Sequence, residues 1–166
     1  MKLIELWNAD INLSYELFSK FPCEENGFEN PAYGMDLDMF RQYVKLSYDY
    51  SLGKNMRPGH VPDSKYVLVD DDNKYIGIFK LRHELNDSLR NNAGHIGYGI
   101  LKEYRGKGFA SKGLALVLEK AKEKGIKEAY LSCNKDNEAS LKVMLKNGGY
   151  IHHEDNKCYY VRINLL

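Results

Sequence analysis

The segment that most constrains this chain is Tyr98-Gly99-Ile100-Leu101-Lys102-Glu103-Tyr104-Arg105-Gly106-Lys107-Gly108-Phe109-Ala110-Ser111. A β-type run enters a short turn holding two glycines and two basic residues, and a helix leaves it. Leu114, Val117, Leu118 and Ala121 fall at i, i+3, i+4 and i+7, so residues 108–124 read as an amphipathic helix stopped by Gly125. The first N–H groups of such a helix lack internal partners and carry a partial positive charge. Glycines let an oxyanion approach that backbone, and Arg105 and Lys107 add full charges. The combination describes a phosphate or pyrophosphate cradle. No Gly-Lys-Ser/Thr follows, which excludes a P-loop, and the three-glycine dinucleotide fingerprint is absent. From spacing alone, an ordinary glycine-rich strand-to-helix turn stays open.

The rest of the chain supplies the frame. Lys2-Leu6 reads as a first strand, Leu13 to Lys20 as a short helix ended before Pro22, and Asp36 as the cap of a longer helix bearing Leu37, Phe40, Val44 and Tyr48. Residues 22–34 and 53–63 carry the turn residues of ordered loops. Lys65-Val69 and Tyr75-Leu81 then form an antiparallel hairpin about a polar tip, and Gly94-Ile100 a third run after a polar loop. Glu128-Cys133 is a strand, Asn137 caps a helix striped with Leu141, Met144 and Leu145, and Tyr150-His153 and Cys158-Ile163 close as a hairpin. The expected order is β-α-α-β-β-β-α-β-α-β-β. That order predicts one mixed α/β (α+β) domain over residues 1–166, with a mostly antiparallel sheet of about seven strands and helices on both faces.

Composition narrows the function classes. Among 166 residues, 24 Lys and Arg against 23 Asp and Glu leave a formal charge of +1, too balanced for a non-specific nucleic-acid binder. The longest apolar runs are single strands such as Tyr66-Val67-Leu68-Val69, too short to span a bilayer. The apolar opening breaks at Glu5, which speaks against a signal peptide. Cys23, Cys133 and Cys158 stand in no metal-ligand or disulfide spacing, so no metal site is expected and a reducing cytoplasm suits the chain. Charge is uneven: Met1–Gly94 balances at −4 and His95–Leu166 at +5, so a polyanionic ligand should contact the second half.

Arg105-Gly106-Lys107-Gly108-Phe109-Ala110 resembles the Arg/Gln-x-x-Gly-x-Gly/Ala signature of the GNAT superfamily, the acetyl-CoA-dependent N-acetyltransferases. The likeness extends to Ile96-Gly97-Tyr98, to Asn137-Glu138-Ala139-Ser140 and to Asn147-Gly148-Gly149-Tyr150. It covers His95 to about Ile151. The resemblance implies acetyl-CoA as co-substrate and an amine as acceptor, with no metal. Backbone groups of Ile100 and Leu101 would pair with the pantetheine arm. The amides of Gly106, Lys107, Gly108, Phe109, Ala110 and Ser111, with Arg105, would hold the pyrophosphate, and Asn137 would reach in from the next helix. The central strand and the one after it would run parallel and then splay around the thioester. Neither nucleic acid nor membrane is an expected partner, and a homodimer stays open.

Such a reaction needs a proton acceptor. A lysine-like amine has a pKa near 10.4, so neutralising it at pH 7 costs roughly 4.6 kcal/mol. A leaving thiol with a pKa near 8.5 asks for only about 2 kcal/mol. His95, where many relatives carry a glutamate, is the expected catalytic base, with His83 and Glu84 as second choice. The family tyrosine that protonates the sulfur is replaced by Met144. An alternative therefore stays beside the enzyme: a catalytically weak acyl-CoA-binding module with a sensing or structural role. Tyr33, Tyr43, Tyr48 and Tyr50, with Glu29, Asp36 and Asp38, hint at a cationic acceptor.

Overall fold

The computed structural model describes residues 1–166. Helices start where short polar side chains satisfy the first free amides. Asp10 accepts from Asn12 and Leu13 to open α1 (Ile11–Ser19), Asp36 accepts from Met39 to open α2 (Leu37–Ser51), and Asn137 accepts from Ser140 to open α5 (Glu138–Lys146). Between them, α3 (Asp87–Arg90) is a single turn inside the expected polar loop, and α4 (Phe109–Glu123) starts on Gly108 with no side-chain cap.

The strands are β1 (Lys2–Glu5), β2 (Glu24–Glu25), β3 (Phe28–Glu29), β4 (Asp63–Val69), β5 (Tyr75–Arg82), β6 (Ile96–Ile100), β7 (Glu128–Asn134), β8 (Gly149–Glu154) and β9 (Cys158–Asn164). The seven expected strands are present. The two additional ones, β2 and β3, form a two-residue hairpin inside the segment expected as loop. The main sheet is also divided: one half is ordered β1-β4-β5-β6 and the other β7-β9-β8, every pairing antiparallel.

The halves touch at one end. The His95 N–H donates to the Tyr130 carbonyl at 2.7 Å, and beyond that bond β6 and β7 share no ladder. A single apolar cluster spans both halves on one face: Phe79, Leu81, Ile96 and Ile100 pack with Leu114, Val117, Leu118 and Ala121 of α4 and with Leu131, Met144 and Val161. The opposite face of the first half carries a second cluster, in which Val67, Val69 and Ile78 pack against Leu17, Phe18 and Phe40 of α1 and α2. Shared packing beneath α4 holds the two half-sheets as one body while leaving the slot between β6 and β7 unzipped. Cys133 and Cys158 are free thiols, and the register sets them on opposite faces, Cys133 beside Tyr159 and Cys158 beside Asn134.

Candidate active site

The glycine-rich turn lies at the open end of the slot. Gly106 and Gly108 both sit in the left-handed region, at φ +74° and +81°, which turns the chain sharply into α4. The first amide of α4 with an internal acceptor is that of Lys112, bonded to Gly108 O at 3.1 Å. The amides of Gly106 through Ser111 have no partner in the chain. A Cβ at Gly106 or Gly108 would meet nothing within 4 Å. The six idle donors, Gly106, Lys107, Gly108, Phe109, Ala110 and Ser111, are the residues expected to hold a pyrophosphate, and they surround an open floor that suits an anion.

Arg105 plays a different part. Its Nε donates to Ile100 O at 2.9 Å, and its Nη2 meets Glu25 Oε2 at 2.6 Å, with Lys102 Nζ 3.4 Å from the same carboxylate. Hydrogen bonding to Arg105 above all holds the Glu25 carboxyl below its ordinary range. The arginine fastens the β2–β3 hairpin to the end of β6. A pair this open contributes under about 1 kcal/mol, so it positions more than it stabilises.

Main-chain groups facing the slot are set by the β5–β6 ladder. Arg82 donates to His95 O and Leu101 to Ile76 O, so residues 95, 97, 99 and 101 turn carbonyl or amide toward β5. The groups of Ile96, Tyr98 and Ile100 therefore point at β7. The assignment of Leu101 to the pantetheine arm is corrected: its amide is spent on Ile76 and its carbonyl on Tyr104, whereas Tyr98 and the amide of Ile100 face the slot, the Ile100 carbonyl already accepting from Arg105. Asn137 spends its side chain on capping α5 across the slot.

His95 is also corrected. It sits at the closed end, where its Nδ1 accepts the Tyr130 N–H at 3.0 Å. The neutral ring then carries its hydrogen on Nε2, and neither nitrogen has a lone pair free for a substrate proton. Burial, with Arg90, Arg162 and Arg82 nearby, pushes the imidazole down to about 4. His95 is a clasp joining the halves. His83 bonds Ser64 Oγ at 2.8 Å and is likewise pushed down to about 4, chiefly by burial. The two histidines line one cavity of about 310 Å³, with Arg90, Lys124 and Glu128, at the end away from the cradle. His95→Ala should cost about 1–3 kcal/mol in urea unfolding, the penalty of stranding the Tyr130 amide. The pH–rate profile should keep its position; a vanished limb would restore His95 as the base.

Tyr98 carries a signal that sequence reasoning passed over, an aromatic between two glycines of the central strand. It stacks on Phe79 with centroids 5.3 Å apart, and its hydroxyl reaches across to Ser140 Oγ of α5 at 2.8 Å. Burial raises the phenol to about 12, so the hydroxyl keeps its proton at neutral pH. Cys133 is raised to about 11, mostly by burial, and stays a packed thiol.

The other face is where an acceptor finds room. Beside β6, the α4 side is filled by Phe79, Tyr98 and Ile100. On the α1–α2 side a Cβ at Gly97 would meet nothing within 4 Å, while Phe21 and Phe28 crowd Gly99. Alternation from Val67 and Ile78 puts Asp63, Lys65, Lys80 and Arg82 on this face. Asp63 meets Lys65 at 2.6 Å and Lys80 at 3.4 Å, and these two cations outweigh burial to keep its carboxyl low. Lys80, directly opposite Gly97, is pushed down to about 8 by burial and by Arg82 and Lys65 against the pull of Asp63. Two of the four tyrosines expected to receive a cation already have one, since Lys65 Nζ lies 5.7 Å from the Tyr43 ring and 5.6 Å from Tyr50, while Tyr33 and Tyr48 are exposed. Asp36 is spent as a cap and Asp38 on Arg41.

The Acetyltransferase (GNAT) domain family matches residues 9–149, most of the chain. The protein belongs to the GNAT acetyltransferase family. Membership makes it an acetyl-CoA-dependent acetyltransferase. Solved structures agree in fold. Spermidine N-acetyltransferase from Vibrio cholerae, in complex with CoA and spermine, superposes at TM-score 0.64 and 18% identity, covering 99% of this chain and 95% of its own. The N-acetyltransferase PseH of Campylobacter jejuni with acetyl coenzyme A gives 0.67 and 15%, over 98% and 97%. RimL, a ribosomal-protein alpha-N-acetyltransferase with coenzyme A, gives 0.70 and 18%, over 98% and 92%. No curated protein matches this chain. No helix is long and apolar enough to cross a membrane.

Proposed function

We propose that this single domain transfers the acetyl group of acetyl-CoA directly to a primary amine, with the cofactor on the α4 side of the slot and the amine on the α1–α2 side. The observation that carries the reading is the slot itself: idle amides at its mouth, and on the far face an open floor at Gly97. The structural neighbours named above with CoA or acetyl-CoA bound are N-acetyltransferases, which supports it. Free thiols on all three cysteines suit a cytoplasmic setting.

The cradle amides hold the pyrophosphate, and the slot-facing groups of Tyr98 and Ile100 align the arm as a peptide aligns on a strand edge. Lys80 takes the proton of the incoming ammonium. With a pKa of about 8 it accepts from a group near 10.4 at a cost of about 3 kcal/mol, against about 9 kcal/mol for His95 at about 4. The surrounding cations lower the ammonium's own pKa and reduce that cost. The amine nitrogen then attacks the carbonyl carbon, the C–S bond breaks, and the second amine proton leaves the new amide nitrogen for the Tyr98 oxygen as that hydroxyl passes its own proton to the departing thiolate. Cys133, held as a thiol, forms no acyl intermediate.

Thiol release from acetyl-CoA across a panel of amines is the direct test, and no release above buffer with any amine would refute the reading. Lys80 works only when neutral, so the rate should fall about tenfold per pH unit below a limb near pH 8. In Lys80→Met, kcat should drop roughly 10²-fold and the limb should move to the amine's own pKa. A limb unmoved in that variant removes Lys80 from the proton path.

A further inference from the structure

We infer that the acceptor bears an oxyanion, a carboxylate or phosphate, beside its amine, and that Arg162 and Arg82 bind it; this rests on the acetyl-transfer reading above. Arg162 stands on β9 directly opposite Tyr130 and beside Tyr150. Since Val161 and Ile163 face the shared core, alternation turns Arg162 to the acceptor face. It is 5% exposed, and its guanidinium carbon lies 3.6 Å from the centroid of the Tyr130 ring.

A guanidinium offers five donors in a rigid fork. Arg162 uses one of them, from Nη1 to the carbonyl of its own neighbour Val161 at 3.3 Å, and it has no carboxylate within ion-pair distance. The tyrosine ring supplies attraction from below but accepts none of those hydrogens. Ser14 Oγ is the one fully buried side-chain polar atom without a partner, so the idle nitrogens of Arg162 keep contact with solvent. Nearly buried charges are ordinarily paired, and this one is pre-oriented and unpaired.

Arg82 meets it from the other half-sheet. Arg82 bonds only Gly94 O, next to His95, and Arg162 lies over the ring of Tyr130, the residue that His95 clasps, so both stand at the closed end of the slot. The charge balance agrees. Lys65, Lys80, Arg82, Arg90 and Arg162 gather around the buried Asp63, Glu29 beyond Arg82, and Glu128, which already accepts from Tyr150. With Lys80 neutral, as proton acceptance requires, four cations still stand against three carboxylates and leave the face positive. A polyamine would be repelled from it, whereas an oxyanion completes it and swings its amine toward Gly97 and Lys80.

Matched acceptor pairs test this: β-alanine against β-alaninamide, and phosphoethanolamine against ethanolamine, with spermidine as the cationic control. In the wild type, kcat/KM should favour the anionic member of at least one pair by tenfold or more, and which pair responds tells carboxylate from phosphate. Arg162→Met keeps the stem over Tyr130 but removes the fork, and the ratio should collapse to within about twofold through KM. Arg162→Lys should recover part of it. Acetyl-CoA affinity by calorimetry reports whether each variant is folded, and Arg82→Gln should lower the same ratio should Arg162→Met fail to fold. Thiol release that favours spermidine or the neutral members, or a ratio indifferent to both arginines, overturns the inference while leaving acetyl transfer standing. No release with any amine overturns both.

Discussion

Gly94→Ala is expected to lower stability by about 2–5 kcal/mol, an unusually large loss for one methyl group. A Cβ there would fall 2.5 Å from the Tyr130 carbonyl carbon and nearer still to its oxygen, and 3.0 Å from Leu131 N. All are backbone atoms, so no side chain can swing aside. The residue also sits at φ +65°, where an L side chain adds about 1–2 kcal/mol of strain. Overpacking of this kind adds about 1–3 kcal/mol more. Gly94 adjoins the clasp, where His95 donates to Tyr130 O and accepts the Tyr130 amide, so the new atom must push the half-sheets apart at their one main-chain link. Thermal unfolding should fall by roughly 5–15 °C, and acetyl-CoA affinity should fall with it as the slot widens. A variant within about 0.5 kcal/mol of wild type in urea unfolding, with an unchanged m-value, would contradict so close an approach of β6 and β7.

That contact could not be read from the sequence, although its neighbourhood could. The glycine turn and its uncapped helix start were legible because their determinants are local: left-handed glycines and two basic residues within a dozen positions. Helices α1, α2, α4 and α5 and all seven main strands were legible through period and capping for the same reason. What stayed hidden depends on pairings distant in the chain. Arg105 looks like a phosphate ligand until Glu25, eighty residues upstream, is found against it. His95 looks like a base until Tyr130 fills its lone pair. Tyr43 and Tyr50 of α2 look like a cage for a cationic substrate, and only the strand register shows that Lys65 already occupies it. Arg162 is an unremarkable alternating residue of a final strand in one dimension; its missing partner exists only in three. In each case residue type was informative about chemistry, and the partner decided whether that chemistry is available.

Gly108→Val should weaken acetyl-CoA binding at least tenfold while leaving the free protein folded. In the free protein a Cβ at this position meets nothing within 4 Å, so its cost is conformational. Gly108 holds φ +81° and ψ 3° as the residue that opens α4, a region a β-branched side chain enters at about 1–2 kcal/mol. The added side chain belongs to the run of idle amides from Gly106 through Ser111, which the phosphate oxygens of the proposed complex approach to hydrogen-bond distance. Stability and affinity can be separated with Gly108→Asn. Asparagine tolerates the left-handed conformation and should recover most of the lost stability. Its side chain still stands in the cradle, so affinity should stay low. Should Gly108→Asn bind acetyl-CoA as the wild type does, backbone strain alone explains the valine variant, and the pyrophosphate lies elsewhere. A weak-binding asparagine variant of near-native stability places the phosphates on these amides, because no other property of the residue separates the two readouts.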